Sequence, residues 1–80
     1  MSFNLKVLSR DNLIFNGVCN TVTSFNSVGE FDVLEFHANF ISMISKYVVI
    51  DKNLSTEKRI PLEKGVLSSK GPEVEVFIQD

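Results

Sequence analysis

The sequence predicts an all-β fold, a small flattened β-sandwich or barrel of about eight to ten short strands. Val, Ile and Phe are frequent among the apolar residues, whereas alanine occurs once, at Ala38. Such side chains suit a pleated, half-buried surface better than a helix face. Apolar and polar residues also alternate in several segments, and turn-forming residues separate these segments roughly every eight to twelve positions.

The first half of the chain divides into four predicted strands. Period-2 alternation or a short apolar run marks each of them, at residues 3–7, 13–15, 18–25 and 30–34. Asn, Asp, Ser and Gly supply turn chemistry between them, at residues 9–12, 16–17 and 26–29. The Asn16-Gly17 pair is suited to positive φ, so we expect a turn there.

The second half begins with an ambiguous stretch, residues 37–45, which we interpret as an irregular loop entering a strand. Residues 47–50 form the next predicted strand, residues 51–56 a hairpin loop, and residues 58–62 the returning strand. Pro61 lacks an N–H, so its strand should lie at an edge or contain a bulge. Two further strands, at residues 66–69 and 73–79, flank a turn at Lys70-Gly71-Pro72.

Length and charge exclude several classes of protein. Eighty residues with 44% apolar side chains are enough for one small domain, residues 1–80. The net charge of −2 provides no basic face of the kind that a nucleic-acid binder needs. The longest uncharged stretch is too polar to span a bilayer, and the N-terminus does not resemble a signal peptide, so we expect a cytoplasmic protein.

The residues that could carry chemistry are few. Cys19 is the only cysteine, which excludes an internal disulfide, and with a single histidine it cannot make a tetrahedral zinc site. Nothing in the pattern places Cys19 beside His37, and Glu73 and Glu75 are better explained as solvated side chains of a hairpin. The glycines lack the spacing of a phosphate-binding loop. We therefore expect no catalysis, no cofactor and no metal.

The middle of the chain carries the most informative motif. From Gly29 the sequence is Gly-Glu-Phe-Asp-Val-Leu-Glu-Phe-His-Ala-Asn. It resembles the Gly-Glu-(apolar)-Gly-(apolar)-(apolar)-Pro-Gly-His-Ala-Pro stretch in the N-terminal β-sandwich domain of the ATP synthase epsilon subunit. The matching positions are Gly29, Glu30, Phe31, Val33, Leu34, His37 and Ala38. Similar positions flank them: Leu5, Val7, Ser9, Phe15, Gly17, Ile60, Gly65, Val66, Leu67, Val74 and Val76. The resemblance covers residues 3–78.

The chain also departs from this pattern. Asp32 stands where a glycine is usual, Glu35-Phe36 replaces Pro-Gly, and Asn39 replaces a proline. We therefore expect the loop ahead of His37 to differ in shape. The chain ends where the family usually continues into two C-terminal helices; if that end is natural, ATP sensing and inhibition of ATP hydrolysis through those helices would be absent.

The resemblance implies a structural role in the rotor of an F-type ATP synthase. In the family this domain lies between the gamma subunit and the ring of membrane-embedded c subunits, and it helps to transmit torque in proton-driven ATP synthesis. The implied partners are the gamma subunit and the c-ring, and the implied location is peripheral, on the cytoplasmic side of the membrane. Glu30 would contact the polar loops of the ring, with His37 beside it. The alternatives are a solvated turn carboxylate and a histidine that hydrogen-bonds its own loop.

The aromatic residues suggest where partners bind. Seven phenylalanines exceed what so small a core can bury, and exposed aromatic residues concentrate at interaction surfaces. We expect Phe36 and at least one of Phe40 and Tyr47 to lie at or beside a subunit interface. A second function stays open, that of a stand-alone β-sandwich adaptor or ligand-binding module that converged on similar spacing.

Overall fold

A computed structural model describes residues 2–34 and 39–79 of the chain. These residues contain strands and turns and no helix, which confirms the predicted all-β class. The strands are β1 (Phe3–Leu8), β2 (Leu13–Cys19), β3 (Val22–Asn26), β4 (Gly29–Val33), β5 (Phe40–Ile50), β6 (Lys58–Lys70) and β7 (Glu73–Gln79).

The strands form one sheet in the order β2-β1-β7-β6-β5-β3-β4, antiparallel throughout except for the parallel pair β1 and β7. The long strands β5 and β6 pair along their whole length. However, β7 reaches only residues 64–70 of β6, and β3 reaches only residues 45–50 of β5. The sheet therefore folds into two layers. The front layer holds β2, β1, β7 and the adjoining parts of β6 and β5, and the back layer holds β4, β3 and the remaining parts.

The hydrophobic core formed by the described residues lies between the two layers. The alternation predicted for the first and last strands is confirmed, because Leu5, Val7 and Val76 are fully buried while their neighbours point outward. The back layer contributes Val22 and Val48, which are equally buried, and every strand supplies at least one core residue. Burial of each such side chain contributes about 1.5–3 kcal/mol before the entropy of ordering the chain is subtracted.

A bulge marks the point where β5 and β6 pass from one layer to the other. Ser45 pairs with Lys64 and Lys46 pairs with Leu62, so Glu63 is the extra residue of the bulge. Lys46 has a φ of 74°, a left-handed conformation that is uncommon outside glycine. Pro61 lies beside this bulge, in the part of β6 that β7 does not reach. Both features expected of its strand, an edge position and a bulge, are therefore present.

Three local predictions differ from the structure. The turn expected at Asn16-Gly17 is wrong, because β2 continues through both residues to Cys19 and the chain turns at residues 20–21 instead. The two strands expected at residues 58–62 and 66–69 are one strand, β6, so the described residues hold seven strands rather than eight to ten. Of the loop expected at residues 37–45, the part from Phe40 onward belongs to β5.

Candidate protein-interaction surfaces

The outer face of the back layer brings together two of the candidate residues, Glu30 and Tyr47. Glu30 lies on β4 beside Phe25 of β3, and β5 follows on the other side of β3. Alternation along these strands directs Phe31 and Val48 toward the core and Glu30 and Tyr47 outward. The Tyr47 hydroxyl donates a hydrogen bond of 2.5 Å to Oε2 of Glu30.

Two basic residues complete this group, which we call the Glu30 cluster: Glu30, Tyr47, Lys52 and Arg59. Nζ of Lys52 lies 3.1 Å from Oε1 of Glu30, and the Arg59 guanidinium lies over the Tyr47 ring at 5.4 Å from its centroid. The hydrogen bond from Tyr47, and then that from Lys52, lower the pKa of the Glu30 carboxyl below its usual value. The same bond raises the pKa of the Tyr47 hydroxyl. Glu30 is therefore an exposed, ionised carboxylate in a fixed position.

Phe40 lies away from the Glu30 cluster, at the start of β5. Its ring meets the Phe31 ring edge-on, with the centroids 6.2 Å apart and the planes at 75°. Both rings are half-buried and pack against the core. Phe36 and His37, the other two candidates, lie outside the described residues, so the contacts expected of them stay predictions.

Two departures from the family motif have a local explanation. Asp32, at the position of a usual glycine, lies within β4 and accepts a 2.5 Å hydrogen bond from the Thr23 hydroxyl. The strand therefore accommodates a side chain there. Asn39, at the position of a proline, uses its Oδ1 to accept the backbone N–H of Gly71 at 2.8 Å.

Cys19 is buried in the core, which agrees with the interpretation of a structural thiol. Burial, and to a lesser degree the charge of Asp51, raise the pKa of the thiol to about 12. The nucleophilic thiolate is therefore scarce at neutral pH. Within residues 2–34 and 39–79, no group of three or more His, Cys, Asp or Glu side chains could hold a metal ion.

The outer face of the front layer carries an apolar row that the sequence pattern did not predict. Directly paired residues on five neighbouring strands form it, and we call it the apolar band: Leu13, Leu8, Phe77, Val66 and Met43. Four interstrand steps give it a length of roughly 19 Å. Met43, Leu13 and Phe77 are 64%, 56% and 50% exposed, and Ile41, two residues before Met43 on the same face, is 75% exposed.

Charged residues border the apolar band on the next two rows of the same face. Lys6 stands opposite Glu75, and Lys70 stands opposite Glu73, which are cross-strand pairs of opposite sign. One residue in the sequence could have indicated the apolar band. Phe77 occupies an outward position of β7 among Glu73, Glu75 and Gln79, where alternation calls for a polar residue. A contiguous apolar surface with a polar border is typical of a protein-interaction site.

The described residues include no helix that is long and apolar enough to cross a membrane.

Comparison with known sequences identifies relatives over nearly the whole chain. Residues 2–80 match the model of the family described as "ATP synthase, Delta/Epsilon chain, beta-sandwich domain". The chain is 32% identical over 77 residues to the ATP synthase epsilon chain of Clostridium botulinum strain Eklund 17B, and 31% identical to that of strain Alaska E43. The alignments cover 95% of this chain and 58% of each relative.

Solved structures show the same fold. A chain of the Euglena gracilis mitochondrial ATP synthase superposes with a TM-score of 0.86 at 14% identity, and covers 96% of this chain and 50% of its own length. A chain from the central stalk and c-ring of the Tetrahymena thermophila mitochondrial ATP synthase gives a TM-score of 0.75 at 9% identity. The alignment covers 96% of this chain and 63% of that chain. The fold, the epsilon-type motif and the family match agree, and the chain belongs to the β-sandwich domain family of the ATP synthase delta and epsilon chains.

Proposed function

We propose that the chain is a central-stalk subunit of the rotor of an F-type ATP synthase and links the gamma subunit to the c-ring in proton-driven ATP synthesis. The role is mechanical and non-catalytic, with residues 1–80 acting as one domain on the cytoplasmic side of the membrane. The family match over residues 2–80 carries this proposal. The two chemically different surfaces on opposite layers support it, because a linking subunit needs two partners at once.

The apolar band suits the gamma subunit. Permanent interfaces are more hydrophobic than transient ones, and they bury contiguous apolar surface. Three members of the band, Leu13, Met43 and Phe77, are at least half exposed in the isolated chain. Docking on gamma would remove this surface from water.

The Glu30 cluster suits the c-ring. Charged pairs at the rim of an interface set orientation and specificity more than affinity. Such pairs would fix the orientation of this domain against the polar loops of the ring. Phe36, His37 and Phe40 remain candidate interface residues, and Glu30 and Tyr47 are the two that the fold holds together.

Co-purification with the gamma subunit of the same organism tests the proposal. We expect a stable complex at micromolar concentrations, and we expect Met43→Ser combined with Phe77→Ser to weaken it by at least about tenfold, since both changes remove apolar side chains of the band that are at least half exposed. Leu54→Ser is the matched control, because Leu54 is 45% exposed but lies in the turn between β5 and β6. The proposal is wrong if no complex forms. The alternative function, a stand-alone adaptor or ligand-binding module, would then be favoured.

A further inference from the structure

Both oxygens of the Glu30 carboxylate already have donors within the chain. Oε2 accepts the Tyr47 hydroxyl at 2.5 Å, and Oε1 faces Nζ of Lys52 at 3.1 Å. The side chains of Glu30 and Lys52 are 45% and 36% exposed. A partner can therefore reach this carboxylate, but it must compete with an internal cation.

The two donors differ in how firmly they are held. Tyr47 lies within β5, its ring is tilted against the Phe25 ring at 6.3 Å between centroids, and the Arg59 guanidinium lies over the Tyr47 ring, 5.4 Å from its centroid. Lys52 belongs to the turn after β5 and reaches Glu30 through a flexible four-carbon stem. Exposed ion pairs of this kind contribute little to stability, because solvent screens them and the long side chain loses entropy. Lys52 is thus the exchangeable donor.

We propose that Tyr47 is a positioning residue that holds the Glu30 carboxylate ready for a basic side chain of the partner, and that Lys52 is the internal cation which this side chain displaces. The inference rests on the proposed function and concerns the same surface. An arginine is the partner residue that fits best. Its planar guanidinium can replace the ammonium at Oε1 and donate further N–H groups to the remaining lone pairs, while Tyr47 keeps its bond to Oε2.

Removal of the native ion pair between Lys52 and Glu30 should strengthen the interaction with the ring. The probe is the detergent-solubilised c-ring of the same organism, bound to an immobilised complex of this chain with gamma. We expect Glu30→Gln to weaken ring binding by about tenfold and Tyr47→Phe by about threefold. Lys52→Met should strengthen it by about two- to fivefold, since the competing cation is gone. Lys58→Met, which changes an exposed lysine outside the cluster, should leave the affinity unchanged.

A measurement on the free chain separates positioning from a purely structural role. The Glu30 carboxyl pKa, followed by NMR, should rise toward its ordinary value in Tyr47→Phe while the melting temperature stays within a few degrees of the wild-type value.

Weaker ring binding by Lys52→Met would show that Lys52 itself contacts the partner and would overturn the displacement. An unchanged affinity and an unchanged Glu30 pKa in Tyr47→Phe would overturn the positioning role. If the wild-type chain binds gamma and the ring but the variants do not follow this pattern, only the inference fails; if it binds neither, the proposed function fails as well.

Discussion

Asp51 organises the junction between β5 and the second turn of the chain. Its Oδ1 accepts the backbone N–H groups of Asn20 and Thr21 at 2.6 and 3.2 Å, and its Oδ2 accepts the Thr56 hydroxyl at 2.7 Å. The backbone N–H of Asp51 donates to the carbonyl of Thr21, and its φ is 53°. Asp and Asn tolerate this left-handed conformation better than other non-glycine residues. One side chain thus ties two turns that lie thirty residues apart in the sequence.

Replacement of Asp51 should make stability less dependent on pH. Burial raises the pKa of this carboxyl, but the hydrogen bonds from Asn20, Thr56 and Thr21 outweigh burial, so the folded-state pKa lies below its ordinary value. The ionised form therefore favours folding. Its contribution is complete above the unfolded pKa of about 3.9 and is lost as pH falls through the folded value.

We expect melting temperatures measured from about pH 7 to about pH 2 to fall less steeply in Asp51→Asn, which keeps the shape and the left-handed preference. Asp51→Ala loses the bonds and the conformational tolerance together, at a cost of about 2–4 kcal/mol at neutral pH. An Asp51→Asn chain with the pH profile of the wild type would contradict this account of the carboxylate.

Cys19 should resist thiol reagents in the folded chain. With a pKa of about 12, only about one thiol in ten thousand is ionised at pH 8, against roughly a quarter for an ordinary cysteine. Labelling by iodoacetamide should therefore be about a hundredfold slower, or more, than in the urea-unfolded chain. Rapid labelling under native conditions would show that the site opens or that the thiol is activated, and would reopen the catalytic reading of Cys19.

At the scale of single strands, periodicity predicts faces well and ends poorly. The alternation of Leu5 with Lys6, or of Val76 with Glu75, depends only on which side of a strand meets the core, and that information is local. The end of β2 depends on Asp51, whose carboxylate fixes the turn at Asn20 from a distant part of the chain. The Asn16-Gly17 pair, despite its turn preference, is therefore overridden by tertiary contacts.

The bounds of β6 were also not predictable from the local sequence pattern. Gly65 reads as a break between two strands, yet it lies inside β6 because the strand there passes very close to β7. A Cβ at Gly65 would lie 2.6 Å from the carbonyl oxygen of Phe77, a distance that Cβ atoms in proteins essentially never show. The absence of a side chain therefore marks a close approach of two backbones, which a single sequence cannot distinguish from a turn.

Gly65→Ala should accordingly destabilise the pairing of β6 with β7. Backbone atoms rather than a flexible side chain stand in the way, so we expect a loss of about 3 kcal/mol or somewhat more in the free energy of unfolding. Gly71→Ala is the matched control. Its Cβ would meet nothing within 4 Å, and only its φ of 60° is unfavourable, for a cost of about 1 kcal/mol. Urea unfolding of both variants measures the difference; equal losses would contradict the close approach as the cause.

At the scale of the molecule, the candidate surfaces could be predicted only in part. The motif beginning at Gly29 led to Glu30, and the count of aromatic residues led to Tyr47, but their hydrogen bond depends on the order β4-β3-β5 in the sheet. The apolar band depends on five strands whose order does not follow the sequence. Leu13, Met43 and Phe77 become neighbours in one row only after the sheet is assembled. Surfaces that cross a sheet are therefore the features least accessible from local patterns.

Unfolding of the whole chain should be one cooperative transition, because the core takes side chains from every strand of both layers. Tyr47 is the only tyrosine and there is no tryptophan, so its fluorescence reports on the back layer, whereas far-ultraviolet circular dichroism reports on the entire sheet. We expect the two urea midpoints to coincide.

Ile78→Val truncates a buried side chain of the front layer, at a cost of about 1 kcal/mol, and should shift both midpoints together by about 1 M urea. Leu54→Val, in an exposed turn, should shift neither. A tyrosine midpoint that does not move with Ile78→Val would mean that the layers unfold separately, and residues 1–80 would then not behave as one domain.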